Sequence, residues 1–307
     1  MVAMRRIGVQ TAPILETWGI EDGFRMIHEA GFDCVDFNID HWMSGTEIRS
    51  GEFSGFFDRS MEEILEDARP YKEAAEKYDV GFGQAHAPFP TYVRENDFVN
   101  GKVLDALKKC IEVCAYVGCP HLIVHPAFFD YDNRMDPDTE WDANIRLYTA
   151  LIPVLKKCHV TCCLENMFTG HRGKIYEAIC SDFNEAAAYI DELNDIAGEK
   201  CFAFCFDTGH ALLLGHDIYT AIMQIGDRLE TLHIHDNNGL SDQHVAPYMG
   251  ILDWDRFVKG LREVGYQGNL SFETYNACRV FDKELMPDVL RLIAATGRMF
   301  ARRIDQA

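Results

Sequence analysis

The sequence predicts a single (β/α)8 barrel domain over residues 1–307. Eight short apolar or β-branched runs recur along the chain, and amphipathic stretches lie between them. Strands that alternate with helices pair in parallel through right-handed crossovers, and eight such units close most simply into a barrel. A doubly wound open sheet is the alternative. It is weakened because the first run continues as VQTAPILETWG, which lacks a glycine-rich phosphate loop.

The predicted elements alternate from one end of the chain to the other. Strands are predicted over residues 5–10, 34–39, 80–86, 121–125, 160–165, 202–207, 231–235 and 269–273. Helices, with apolar residues three and four apart, are predicted over residues 20–30, 61–78, 98–117, 138–157, 182–193, 217–226, 254–264 and 283–303. Ser60, followed three positions later by Glu63, is a typical signal for the start of a helix.

Composition restricts the classes of partner. The chain has 29 basic and 49 acidic residues and a net charge of −20, which opposes nucleic-acid binding because phosphate contacts require clustered lysine and arginine. No apolar run approaches the roughly 18 to 20 residues of a membrane span, and no signal peptide is evident. The eleven cysteines include no C-x-x-C pair, which indicates reduced thiols. We therefore expect a cytoplasmic protein with no membrane or nucleic-acid partner; whether it forms a homo-oligomer stays open.

Six consecutive predicted strands end in histidine or an acidic residue. In a (β/α)8 barrel the active site lies at the carboxyl ends of the strands, so these side chains should meet. The strand ends supply His86, His125, Glu165, Asp207, His210, His233, His235 and Glu273. Asp242 and His244 follow in the loop after the seventh strand.

Each of these residues alone has an ordinary structural explanation, such as a hydrogen-bonded histidine or a carboxylate that caps a helix. Together they would bring several carboxylates and imidazoles to one end of the barrel. Burying such charged groups is costly unless they are paired or bind a metal. Histidine and carboxylate ligands without thiolates suit Mn²⁺, Co²⁺, Zn²⁺, Mg²⁺ or Fe²⁺, and ligand type alone does not choose among them. We expect one divalent ion, with Mn²⁺ or Zn²⁺ favoured.

The motifs E-N, D-T-x-H, H-x-H-D and E-T on successive strands resemble the xylose isomerase-like TIM barrel superfamily. That superfamily includes sugar phosphate isomerases and epimerases, ketose 3-epimerases, inosose dehydratases and, more distantly, endonuclease IV. The resemblance implies one divalent ion held by Glu165, Asp207, His233 and Glu273. His233 is chosen over His235 because it stands three residues before an acid, as the family's ligand on the seventh strand does.

The resemblance implies a sugar isomerase or epimerase that acts on a small carbohydrate. The metal would stabilise an enediolate formed by proton abstraction next to a carbonyl, and Glu165 and Glu273 are the candidate acid and base. The remaining candidates would bind substrate or additional metal. They are His86, His125, His210, His235, Asp242 and His244.

Other functions remain alternatives. A sugar or inosose dehydratase or lyase would use the same base and metal. An endonuclease IV-like phosphodiesterase would use His86, His125 and the pair Asp242 and His244 as extra metal ligands. It is opposed by the negative net charge and by the absence of basic residues between Asn237 and Tyr248. A barrel that only binds carbohydrate is a third alternative, although binding alone does not require two carboxylates and a metal.

Overall fold

Parallel strands form the centre of the fold in the computed structural model, which describes residues 5–129 and 131–306. The first four residues and the last residue of the predicted domain lie outside this description. The barrel strands are β1 (Ile7–Gln10), β2 (Cys34–Asn38), β3 (Gly81–His86), β4 (His121–Ile123), β5 (Thr161–Glu165), β8 (Phe202–Asp207), β9 (Leu229–His233) and β10 (Leu270–Phe272). A hairpin of β6 (Phe168–His171) and β7 (Lys174–Glu177) follows β5 and is antiparallel.

The eight parallel strands follow the order β10-β1-β2-β3-β4-β5-β8-β9. The remaining gap is bridged just beyond β9, where the Ile234 amide donates to the Ser271 carbonyl at 2.9 Å. The Glu273 amide donates back to the Ile234 carbonyl at 3.1 Å. The sheet therefore closes on itself, and the predicted (β/α)8 barrel is confirmed.

The helices pack around the strands. In the described chain they are α1 (Ala12–Ala30), α2 (Gly45–Ser50), α3 (Met61–Tyr78), α4 (Asp97–Val117), α5 (Pro137–Thr149), α6 (Ile152–Cys158), α7 (Phe183–Ala197), α8 (Thr208–Leu213), α9 (Ile218–Ile225), α10 (Trp254–Glu263), α11 (Tyr275–Arg279) and α12 (Met286–Asp305). The predicted start of α3 is confirmed, because Ser60 and Glu63 exchange side-chain and backbone hydrogen bonds there. None of the helices in the described ranges is long and apolar enough to cross a membrane.

Two helix predictions were wrong in their bounds for identifiable reasons. The predicted helix over 138–157 is two helices, because Pro153 is the second residue of α6 and has no N–H to continue the hydrogen bonds of α5. Helix α1 begins before residue 20 and is kinked at Gly19, where φ is 73° and ψ is 178°. This left-handed backbone suits glycine, and the regular apolar pattern starts only after it.

The inside of the barrel below the strand ends is filled by apolar side chains. Successive residues of a strand point to opposite faces, so Cys163 shares the face of Glu165, and Cys205 shares the face of Asp207. Both cysteines are fully buried and pack with Ile123 and Ala203 in a separate apolar cluster. All eleven cysteines are free and ten are buried, which agrees with the predicted reduced thiols.

An ion network lies at the opposite, amino-terminal end of the strands. On β9, Glu230 Oε2 lies 3.1 Å from His121 Nε2, and Glu230 Oε1 lies 2.6 Å from Lys200 Nζ. Burial alone would raise the pKa of Glu230, but the hydrogen bonds and charges of His121 and Lys200 lower it from 4.5 to about 2. The network therefore stabilises the folded protein only while Glu230 is ionised.

Replacing Glu230 by glutamine should lower the free energy of unfolding by about 1 to 3 kcal/mol at neutral pH, after allowance for solvent screening. Because the folded-state pKa is depressed, this stabilisation is present above about pH 4.5 and is lost as the pH falls towards about 2. Chemical denaturation of both proteins across this range would measure it. A difference in stability that does not shrink at low pH would contradict the prediction.

Candidate active site

The structure brings all ten predicted site residues to the carboxyl ends of the strands. Eight of them are buried, and His125 and Asp242 are partly exposed. They fall into three neighbouring groups, of which the first two share Glu165. The central group is Glu165, Asp207, His233 and Glu273. The second group is His86, His125 and Glu165, and the third group is His210, His235, Asp242 and His244.

In the central group, one ring nitrogen of His233 is surrounded by carboxylates. Its Nδ1 atom lies 3.1 Å from Glu165 Oε2, 3.7 Å from Glu273 Oε2 and 3.9 Å from Asp207 Oδ2. Oxygen and nitrogen ligands bind Zn²⁺ at about 2.0 to 2.2 Å, so neighbouring ligand atoms lie roughly 3 to 3.5 Å apart. Three carboxylate oxygens therefore surround one imidazole nitrogen, one of them at the distance between ligands of a single cation and two slightly farther away.

The second group lies beside the first and shares Glu165 with it. His125 Nε2 is 3.0 Å from Glu165 Oε2 and 3.3 Å from His86 Nε2. The His86 ring also stacks on the His233 ring, with centroids 4.6 Å apart and planes 11° apart. The two groups therefore form one continuous cluster.

The third group comes from α8 and from the segment that follows β9. Asp242 Oδ2 lies 2.8 Å from His244 Nε2 and 3.7 Å from His210 Nε2. His235 Nε2 is 4.0 Å from Asp242 Oδ1 and 3.0 Å from both oxygens of Asp207. His235 therefore links the third group to the central one, whereas His233 lies within the central group.

Three further polar side chains at this end were not predicted. Asp36 Oδ2 lies 3.2 Å from His233 Nε2 and accepts a hydrogen bond from Gln84 Nε2 at 2.9 Å. Gln10 Nε2 donates to Glu273 Oε1 at 2.9 Å. The signal that could have revealed Asp36 is an acidic residue within the buried strand CVDFN. Such a charge is costly to bury unless it has a partner.

Two polar residues of the strand-end motifs have structural roles. Asp236 accepts three backbone N–H groups of the loop after β9 and the indole N–H of Trp254, at 2.9 to 3.1 Å. Asn166 exchanges two hydrogen bonds with the backbone of Asp207, which ties the end of β5 to the end of β8. These contacts fix the strand ends that carry the site.

Opposite charges lie close together in the site. Burial alone would raise the pKa of Glu165 and Asp207, but neighbouring histidines hold the pKa of both carboxyls below its usual value. Burial alone would lower the pKa of His210, His233 and His244, yet surrounding anionic groups raise all three, that of His244 to about 8. Ionised carboxylates therefore face imidazoles that hold protons. A divalent cation would take the place of such protons.

Several buried polar atoms here make no well-aligned hydrogen bond within the described ranges, although some of them lie close to an oppositely charged group, as His233 Nε2 does to Asp36 Oδ2. They are Asp36 Oδ1, His86 Nδ1, His125 Nδ1, Glu165 Oε2, both ring nitrogens of His233, His235 Nδ1 and Asp242 Oδ1. An unpaired buried polar atom is costly, and a cation among these donors would remove part of that cost. The donor types and their spacing fit a divalent metal.

A cleft of about 420 Å³ opens above these groups, which is within the range of small-molecule sites. Glu273, His86 and His125 form part of its wall. Farther out it is lined by polar and aromatic residues that include Asn38, Asp40, His41, Ser44, Phe89 and Tyr275. The cleft therefore connects solvent to the buried groups.

Residues 24–296 match the xylose isomerase-like TIM barrel family, and the chain belongs to that family. The chain is similar to the uncharacterized protein y4fM of Sinorhizobium fredii, with 26% identity over 279 residues that cover 85% of this chain and 84% of the relative. It is also similar to D-psicose 3-epimerase of Enterocloster bolteae, with 26% identity over 153 residues, 48% of this chain and 46% of the relative.

Solved structures share the fold over almost the whole chain. A D-allulose 3-epimerase from Methylomonas sp. superposes with a TM-score of 0.71 and 17% identity, and the match covers 99% of both chains. The IolI protein with a bound zinc atom superposes with a TM-score of 0.67 and 16% identity, covering 97% of this chain and 96% of that one. The sequence relatives of the chain thus include a sugar 3-epimerase, and a barrel with a bound zinc atom shares its fold.

Proposed function

We propose that this protein is a divalent-metal-dependent sugar isomerase or epimerase that moves a proton next to a carbonyl through an enediolate. The observation that carries the proposal is the central group, in which three carboxylates lie within 3.9 Å of His233 Nδ1. Sugar epimerases among the relatives support this reaction class. The substrate would be a small carbohydrate bound in the cleft.

The central group would hold one cation, with Mn²⁺ or Zn²⁺ favoured, and a zinc-bound barrel of the same fold supports a metal here. Its ligands would be Glu165, Asp207, His233 and Glu273. When bound, the cation would polarise the substrate carbonyl and stabilise the negative charge that follows proton removal.

Glu273 and Glu165 would move the proton. Glu273 faces the cleft, and Glu165 is only 1% exposed beneath it. One carboxylate would remove the proton from the carbon next to the carbonyl. The other would return it to the opposite face of that carbon, or to the adjacent carbon. The amide of Gln10 holds Glu273 Oε1 and so orients this carboxylate.

The other candidate residues would bind sugar oxygens or additional cations. His86 and His125 line the cleft and would contact the substrate directly. In the third group, the Asp242 carboxylate between His210 and His244 would serve either role. Three cations would favour phosphodiester cleavage of the endonuclease IV type, which the net charge of −20 opposes for a DNA substrate.

A dehydratase or lyase that acts on a sugar or inosose remains the main alternative. It would use the same carboxylate base and the same cation, and it would differ only in the bond broken after proton removal. Analysis of the products distinguishes it, because loss of water or of a substituent changes the mass of the sugar and epimerisation does not.

Metal-loaded protein should exchange a carbon-bound proton of a sugar with solvent deuterium, and chelation should abolish this exchange. Suitable probes are D-allulose, D-tagatose, D-fructose and L-ribulose, followed by NMR in D₂O with added Mn²⁺ or Zn²⁺. Elemental analysis of the same samples counts the cations for each chain.

One cation with chelator-sensitive exchange would support the proposal. A count of three cations, together with nicking of an abasic-site duplex at catalytic enzyme concentrations, would favour the phosphodiesterase alternative over the proposed isomerase or epimerase. Exchange that continues in metal-free protein would contradict the role of the cation.

A further inference from the structure

We propose that Asp36 is a positioning residue that orients His233 and His86 and thereby sets the affinity of the site for its cation. Asp36 lies within β2, is fully buried, and has no part in the proton transfer described above. This inference rests on the metal site proposed above. It concerns a residue on a strand that contributes nothing to the proposed ligand set.

The contact with His233 determines which side of the ring faces the carboxylates. His233 Nε2 lies 3.2 Å from Asp36 Oδ2, while Nδ1 faces the central group. An ionised carboxylate next to Nε2 favours the tautomer with its proton on Nε2, which leaves the Nδ1 lone pair free for a cation. Asp36 would therefore prepare His233 to act as a ligand through Nδ1.

The same oxygen of Asp36 also faces the second group. His86 Nδ1 lies 3.9 Å from Asp36 Oδ2, and the opposite nitrogen of that ring, Nε2, faces His125. The stacking of His86 on His233 keeps the two rings parallel. One carboxylate thus lies behind two imidazoles, each of which presents its other nitrogen towards Glu165 or His125.

Gln84 holds Asp36 in this position. Its Nε2 atom donates to Asp36 Oδ2 at 2.9 Å and to the Leu232 carbonyl at 3.2 Å. Leu232 immediately precedes His233 on β9, so Gln84 ties the carboxylate to the strand that carries the histidine. The arrangement therefore joins β2, β3 and β9 through three side chains.

Replacing Asp36 by asparagine should weaken metal binding about 10-fold to 100-fold, the usual effect of removing a partner behind a metal ligand. The measurement is Zn²⁺ affinity by competition with a chromogenic chelator, without sugar. The absorption spectrum of the Co²⁺-loaded protein should also change, because this spectrum depends on the geometry of the metal ligands. A general loss of stability would leave the spectrum of the folded protein unchanged.

The matched control is Asp33→Asn, just before the same strand. Asp33 Oδ2 accepts the Ile7 amide at 2.7 Å and Oδ1 lies 2.6 Å from Arg298, at the end of the barrel remote from the cleft. This control should lower stability without changing the affinity for Zn²⁺. Should Asp36→Asn fail to fold, Gln84→Met keeps the carboxylate and should lower the affinity roughly threefold to tenfold.

Wild-type affinity for Zn²⁺ in Asp36→Asn, or in Gln84→Met where Asp36→Asn does not fold, would overturn the inference. Because the assay contains no sugar, it is independent of the reaction. A wild-type protein that binds Zn²⁺ but exchanges no sugar proton would refute the proposed function and leave the role of Asp36 to be decided by these affinities. A wild-type protein that binds no divalent cation would refute both.

Discussion

Replacing Glu165 or Glu273 by glutamine is expected to reduce proton exchange at the sugar carbon by about 10² to 10⁴-fold, the range that a general acid or base contributes. Glutamine keeps the shape of the side chain, but its amide cannot act as a general base. Each variant should be compared with the wild type by deuterium incorporation under saturating sugar. Full exchange activity in both variants would refute the assignment of these two carboxylates.

Metal content separates the two roles of each glutamate. A variant that keeps its cation and loses exchange would have lost a base, whereas a variant that loses both would have lost a ligand. The matched control is Glu140→Gln on α5, because Glu140 is also buried and pairs with Arg134 away from the cleft. This control should retain exchange, and a comparable loss in Glu140→Gln would show that the effect is not specific to the site.

Replacing Gly209 by alanine is expected to disrupt the site through the His235 ring. An added Cβ at Gly209 would lie 1.9 Å from His235 Cε1, far inside contact distance. His235 is fully buried and holds both oxygens of Asp207, so displacement of the ring would also move Asp207. We expect a loss of about 1 to 3 kcal/mol in the free energy of unfolding and roughly a 10²-fold loss of activity.

The control for this change is Gly101→Ala in α4. A Cβ at Gly101 would meet no atom within 4 Å, so the substitution should raise the free energy of unfolding by about 0.5 to 1 kcal/mol. Thermal unfolding and deuterium exchange of both variants test the pair. Wild-type activity in Gly209→Ala would show that His235 does not need to remain in contact with Asp207.

The sequence predicted the order of the barrel elements well because its apolar periodicity depends only on neighbouring residues. The run from Met61 to Tyr78 shows this, since its helix bounds match the prediction. The antiparallel hairpin after β5 was not predicted. Its two strands are short and partly exposed, and the residues from Phe168 to Glu177 have no regular apolar pattern. Pattern alone also could not locate the kink at Gly19.

The candidate site could be predicted in part. Residues at strand ends converge in any barrel of this kind, so the meeting of Glu165, His233 and Glu273 followed from the order of the strands. The role proposed for Asp36 could not be predicted, because its partners lie on β3 and β9, and their side chains meet it only in the folded barrel. Ring orientation and hydrogen-bond geometry are properties of packing that a linear pattern does not contain.

Closure of the barrel next to β10 has a consequence for the order in which the site assembles. Strand β10 pairs with β1 at one end of the strand order and β9 stands at the other, so Glu273 lies beside the other ligands only when the seam between β9 and β10 has closed. A folding intermediate with an open seam would hold Glu165, Asp207 and His233 without their fourth partner. Tight metal binding during refolding would therefore report the final ring closure, at the seam formed by Ile234 and Ser271.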